Sequence, residues 1–197
     1  MKILISDPIE QSCVDILTRE GFQVDVKPGI PAEEIKKIIS EYAALIVRSG
    51  TKVTADIVAE AKAMKVIGRA GAGVDNIDVE AASRRGIIVM NTPGGNTIST
   101  AEHTVAMMLS LARNIPQAHL SLGNDKWDRK KYMGTEVFGK TLGVIGMGKV
   151  GREVALRCQA FGMTIIGFDP VLASDVASKL GVELVPLEEI YRRSDFI

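Results

Sequence analysis

The sequence predicts an α/β protein of two doubly wound parallel-sheet domains, the second of them incomplete. Three observations carry that prediction. Short apolar runs alternate with helical patterns along the chain, as in parallel sheets covered by helices. A glycine turn, Gly146-Met147-Gly148-Lys149-Val150-Gly151, stands between a strand pattern and a helix pattern, and Asp169 ends the next strand pattern. Between the two halves, the loop Asn91–Asn96 and a long apolar helix pattern interrupt the alternation, dividing the chain into residues 1–95 and 96–197.

In chain order, Lys2–Ser6 reads as a strand. Ile9, Cys13, Ile16 and Leu17 then fall at helical spacing, and Gly21 ends that helix. Phe22–Val26 is a second strand. Pro31 opens a helix whose Ile35, Ile38, Ile39 and Tyr42 form one stripe. Ala44–Val47 reads as a buried strand, Thr54–Ala63 as a helix, and Val66–Ile67 as the start of a strand. Asp78 caps a helix to Arg85, and Ile87–Met90 is the next strand. Ser99 and Glu102 read as a capping box for a helix to about Arg113. Its Ala/Met/Leu-rich body predicts a helix buried nearly all round, crossing between domains. A polar, basic segment with Trp127 follows. The second half continues with Thr141–Ile145, the glycine turn and its helix, Thr164–Phe168, a helix near Ser174–Leu180, a strand Val182–Leu184 and a helix Leu187–Arg193. Asp195-Phe196-Ile197 reads as a strand just begun, which predicts a chain cut from a longer product.

Composition narrows the function. The 197 residues are 46% hydrophobic and 24% charged, with 24 basic and 24 acidic side chains. A zero net charge gives no general footprint for nucleic acid or an anionic membrane surface. No apolar run approaches the ~18 residues of a membrane helix, and the N-terminus lacks a secretory pattern. Cys13 and Cys158 read as buried thiols, which points to the cytoplasm rather than a disulfide-forming compartment. No cluster has metal-ligand spacing, so no metal is expected.

The glycine turn carries the clearest chemistry. Gly146 permits the tight turn off the strand, Gly148 lets a pyrophosphate approach the backbone, and Gly151 lets helix and strand pack closely. The helix N-terminus holds phosphate charge through its free N–H groups and dipole. Asp169 suits the two hydroxyls of an adenosine ribose and repels a 2′-phosphate; Pro170, not an arginine, follows it. That predicts NAD rather than NADP.

Parallel sheets bind ligands beyond the carboxyl ends of their strands. In the first half those ends are Arg48-Ser49-Gly50-Thr51, Arg69–Asn76 and Asn91–Asn96. Two arginines, hydroxyls and glycine N–H groups suit a small ligand with more than one anionic group. Gly71-Ala72-Gly73 lacks a third glycine and reads as a second anion cradle, for substrate or the nicotinamide end. His103 and His119 are acid–base candidates by type, but no acid is placed to orient either, and packing or capping is the preferred reading.

With these motifs in view the sequence resembles the D-isomer-specific 2-hydroxyacid dehydrogenases, most of all the animal-type branch acting on 3-phospho-D-glycerate. The stretches that carry the resemblance are Leu45–Ser49, Val66–Asn76, Val89–Asn96, Lys126–Lys131 and Gly146–Gly151. It covers the whole chain. It implies a flavodoxin-like substrate domain over 1–95, a Rossmann NAD domain, truncated, over 96–197, and NAD-dependent oxidation of 3-phosphoglycerate at the entry to serine biosynthesis. By it, Arg48, Ser49, Arg69, Gly71, Gly73 and Asn96 meet the substrate. Ala72, Gly146, Gly148, Lys149, Val150, Gly151, Asp169 and Pro170 meet the cofactor. Trp127 and Arg129 lie on a dimer arm, which implies a homodimer or homotetramer. The family's catalytic arginine, carboxylate and histidine all fall beyond Ile197, so no catalytic residue is assigned in this chain and it is expected to be inactive alone. A glyoxylate/hydroxypyruvate reductase and a non-catalytic NAD-binding corepressor are the alternatives.

Overall fold

A computed structural model describes all 197 residues. The chain separates into two compact units, Met1–Asn96 and Thr97–Ile197.

The first unit is one five-stranded parallel sheet. Its strands are β1 (Lys2–Ile5), β2 (Gln23–Val26), β3 (Ala44–Val47), β4 (Val66–Arg69) and β5 (Ile88–Asn91), in the order β2-β1-β3-β4-β5. That is the flavodoxin-like order, whose topological switch point lies between β1 and β3. Alternate residues face opposite layers, as a strand requires. Leu4, Leu45, Val47 and Ile67 pack under α2 (Ala32–Ile38), α3 (Ala55–Glu60) and α4 (Val79–Arg84). Ile3, Ile5 and Ala44 point the other way and meet Ile9, Val14 and Leu17, the last two on α1 (Gln11–Arg19). The Ile35–Tyr42 stripe is buried as expected at Ile35, Ile39 and Tyr42, but the helix tightens to a 3-10 turn over Ile39–Glu41. The Asp78 carboxylate caps α4 by accepting from the Ala81 N–H at 2.8 Å.

The second unit holds β6 (Thr141–Ile145), β7 (Thr164–Phe168) and β8 (Glu183–Leu184), all parallel, in the order β6-β7-β8. Phe196 forms a parallel bridge to Leu142, and the Gly143 N–H donates to its carbonyl at 2.8 Å. The order across the sheet is therefore β8-β7-β6-Phe196, the 3-2-1-4 arrangement of a dinucleotide-binding sheet, with its switch point at the end of β6. One face packs on α5 (Thr97–Ala112), α7 (Lys149–Ala160) and α8 (Ser174–Lys179); the other carries α9 (Leu187–Arg193) through Ile166, Val185 and Ile190.

The structure differs from the sequence reading at four points, the second of them an element that reading did not include. First, α5 begins at Thr97, so Ser99 lies inside its first turn and is not its N-cap. Second, a separate helix, α6 (Ile115–Gly123), follows it; Asn114 adopts the left-handed conformation (φ 54°) and breaks the two apart. Third, α5 is not buried all round. Ala101, Val105 and Ala112 are buried, but Met107 is 60% and Leu111 71% exposed in the chain. Fourth, Cys158 is buried but Cys13 is only half-buried. No helix is long and apolar enough to cross a membrane.

Candidate functional site

In the first unit, hydrogen bonds stitch the loops beyond β1, β3, β4 and β5 into one rim. Asp7, at the end of β1, is buried. Its Oδ2 accepts from the backbone N–H of Arg48 at 2.6 Å and of Thr51 at 3.1 Å, and its Oδ1 accepts from the Thr51 hydroxyl at 2.9 Å. A Cβ on Gly50 would lie 2.7 Å from Asp7 Oδ1, so the loop needs glycine there. Asn76 Nδ2 donates to the carbonyls of Arg48 (2.7 Å) and Thr51 (2.6 Å), tying the β4 loop to the β3 loop. Asn91 Nδ2 donates to the Ala72 carbonyl at 2.6 Å, and the Thr92 N–H to that of Gly71 at 2.9 Å, tying in the loop after β5.

Two arginines belong to this rim. Val47 pairs with Arg69 in the sheet, so Arg48 leaves β3 one step beyond Arg69's neighbour. Arg48 is exposed and its Nη1 reaches the Pro8 carbonyl at 3.3 Å. The Arg69 side chain is only 12% exposed and pairs with the Asp75 carboxylate, while its Nε is buried without a partner. Gly71 and Gly73 lie against this guanidinium: Cβ atoms there would come within 3.3 Å of Nε and 3.1 Å of Nη1. The structure thus gathers Arg48, Arg69, Gly71, Ala72 and Gly73 at one edge. Ser49 and Ala72 are exposed, and Asn96 lies exposed at the end of the turn that follows β5. Nothing in the sequence singles out Asp7, and Thr51, Asn76 and Asn91 stand out there only as members of the rim loops, not as the residues that tie those loops together. An acid and an amide at strand ends were the available signals, but nothing in their spacing ties them to loops 19 to 44 residues away.

In the second unit the glycine turn has the geometry its residues predict. Gly146 has φ 95°, a conformation that favours glycine. A Cβ on Gly151 would collide with the Gly146 carbonyl oxygen. Gly148 has nothing within 4 Å of where a Cβ would sit, which leaves backbone open to a ligand. It is also the N-cap of α7, a helix of 12 residues. Lys149 opens that helix, exposed, with Val150 half-buried behind it. Met147, between the first two glycines, is 1% exposed and packs into the core. A groove of about 700 Å³ runs beside the turn, lined by His103, Met108, Gly146, Val150, Gly151 and Phe196 among others.

Asp169 is fixed by backbone. Its Oδ2 accepts from the Met147 N–H at 2.8 Å, and its Oδ1 from the N–H groups of Val171 and Leu172, both at 2.9 Å. These donors, Val171 foremost, hold its carboxyl below the usual carboxylate range, with the positive charge of Arg152 adding a little. A carboxylate offers about four acceptor sites, and three are taken. Asp169 is left with one acceptor site for a ligand hydroxyl, fewer than the pair of ribose hydroxyls its motif suggests. Pro170 is exposed beside it. His103 and His119 are both exposed, so neither is packed in a core, and neither is paired with a carboxylate. Trp127 is 74% exposed, and Arg129 beside it is exposed too.

The two parallel sheets, the second in dinucleotide-binding strand order, define the α/β class of the chain, and comparison gives the family. The model for the D-isomer specific 2-hydroxyacid dehydrogenase catalytic domain matches residues 3–187. The chain belongs to that family. It is 54% identical over 196 residues to D-3-phosphoglycerate dehydrogenase of Rattus norvegicus and 53% identical to that of Homo sapiens. To the enzyme of Archaeoglobus fulgidus it is 50% identical over 197 residues. All of this chain is matched, but it spans 37% of the length of each of these relatives. Among solved structures, a Thermus thermophilus protein is similar at TM-score 0.90 and 32% identity, over 99% of this chain and 63% of that one. A glyoxylate reductase from Paecilomyes thermophila is similar at TM-score 0.87 and 28% identity, with the same coverage. A formate dehydrogenase from Staphylococcus aureus, solved with NAD, is similar at TM-score 0.87 and 26% identity, again over 99% and 63%.

Proposed function

We propose that this chain carries the anion-binding half and the pyrophosphate-binding turn of an NAD-dependent oxidoreductase that converts 3-phospho-D-glycerate to 3-phosphohydroxypyruvate, the entry step of serine biosynthesis. The observation that carries the reading is the turn at the switch point of the second sheet, with an open Gly148 at a helix N-terminus and an ionised Asp169 beside it. These residues fit NAD. The N–H groups that open α7 hold the pyrophosphate, and Asp169 takes a ribose hydroxyl and repels a 2′-phosphate. The nicotinamide, when bound, supplies the hydride acceptor.

Arg48 and Arg69 hold the carboxylate and phosphate of the substrate; bidentate guanidinium contacts suit both groups. Ser49, Gly71, Gly73 and Asn96 complete that site, and Ala72 lies on the nicotinamide side. We assign proton transfer to none of these 197 residues, because His103 and His119 have no carboxylate to orient them. The chain by itself is accordingly expected to be inactive. The exposed Trp127 and Arg129 form a dimer arm in a homodimer or homotetramer, and the two free cysteines suit a reducing cytoplasm. The names of the curated relatives favour 3-phosphoglycerate over the glyoxylate of a structural neighbour. Reduction of NAD with a panel of D-2-hydroxy acids, by the full-length protein, tests the assignment. Preference for an unphosphorylated acid would overturn it, because a site built to pair a phosphate discriminates strongly against ligands lacking one.

A further inference from the structure

We infer that Asp75 is a placeholder for the ligand's anionic group: it pairs with Arg69 when no ligand is bound and releases it when a carboxylate or phosphate arrives. The inference rests on the reading of Arg69 as a substrate ligand.

The two partners are unequal. The Arg69 side chain is 12% exposed and tethered to the sheet, whereas the Asp75 side chain is 82% exposed and can swing into water. The guanidinium is also only half used. Asp75 takes Nη1, while Nε is buried without a partner, which is costly for a charged donor. An incoming oxyanion can take Nη1 and Nη2 together, in one of the fork geometries that arginine prefers, and so competes with Asp75 for Nη1. Gly71 and Gly73 keep that space clear, since a Cβ at Gly73 would crowd both Asp75 Oδ1 (3.0 Å) and Arg69 Nη1 (3.1 Å). A ligand oxyanion cannot share Arg69 with Asp75 at close range without like-charge repulsion, so Asp75 weakens every anion that binds. Ligands that gain enough elsewhere on the rim to displace it are favoured over small anions that do not.

The test measures KM and kcat for 3-phospho-D-glycerate, and competitive inhibition by inorganic phosphate, in the full-length protein carrying Asp75→Asn, Asp75→Ala or Arg69→Ala. Asn keeps an acceptor toward Arg69 and loses only the charge; Ala loses both. Both Asp75 variants are expected to lower KM and the phosphate inhibition constant about 2- to 10-fold with kcat unchanged. The gain in phosphate binding is expected to vanish in the double variant with Arg69→Ala. A raised KM in Asp75→Ala, rescued by Asp75→Asn, would make Asp75 an orienting partner of Arg69 and overturn the proposal. An Arg69→Ala protein with unchanged KM would instead remove the substrate reading of Arg69 itself.

Discussion

Asp7 and Asp169 are carboxylates whose donors are mostly backbone N–H groups, and each fixes a loop. At Asp169 the consequence for pH can be worked out. Its folded-state pKa is depressed, so the stability it contributes is present above the unfolded value near 3.8 and is lost as pH falls through the lower folded value. The turn is expected to keep its NAD affinity unchanged from neutral pH down to about pH 4 and to loosen below that, as a titration of NAD binding would show. Asp169→Ala should raise the NAD dissociation constant about tenfold or more, the usual effect of losing a hydrogen bond to a charged group, and should narrow the preference over NADP. Arg48→Ala is expected to raise KM for the substrate about 10- to 100-fold with a smaller effect on kcat, measured by steady-state kinetics. The arginines and the turn glycines were legible in the sequence because their chemistry follows from residue type and local order. Asp7 and Asn76 were not: each does its work across loops far apart in the chain.

At the scale of elements, the glycine turn and the helix caps make the sharpest predictions. Gly151→Ala drives a methyl into the Gly146 carbonyl, so it is expected to cost about 1–3 kcal/mol in chemical denaturation and to weaken NAD binding with it. Asp78→Ala removes the cap of α4 and should cost about 0.5–2 kcal/mol in the same denaturation assay. Strand identity was legible throughout, since each run of alternating or continuous apolar residues fills a strand layer. Helix ends were less so. Ser99 has the composition of a cap, yet helical structure begins two residues earlier at Thr97. The break at Asn114 depends on a left-handed residue that asparagine tolerates but does not announce. Asn114→Val should therefore destabilise the α5–α6 junction, while Asn114→Gly should be nearly neutral in the same denaturation assay.

For the whole molecule, strand order carries most of the argument. The first sheet has the β2-β1-β3-β4-β5 order, and the second places its glycine turn at the switch point of a 3-2-1-4 arrangement. The alternation of elements made the α/β class legible. Strand order was not legible in the residues themselves and came only with the family resemblance, because it depends on which side of the first strand each crossover returns to. The exposed face of α5 ran against expectation for a related reason: apolar composition says a face wants cover but not what supplies it. The central claim, that these residues hold NAD and 3-phospho-D-glycerate, is tested most directly by the rate of NAD reduction with 3-phospho-D-glycerate in the full-length protein, set against NADP and unphosphorylated D-2-hydroxy acids. The account predicts turnover with NAD that is lost in Arg69→Ala and strongly reduced with NADP. Equal turnover with NADP, or faster turnover of an unphosphorylated acid, would contradict it.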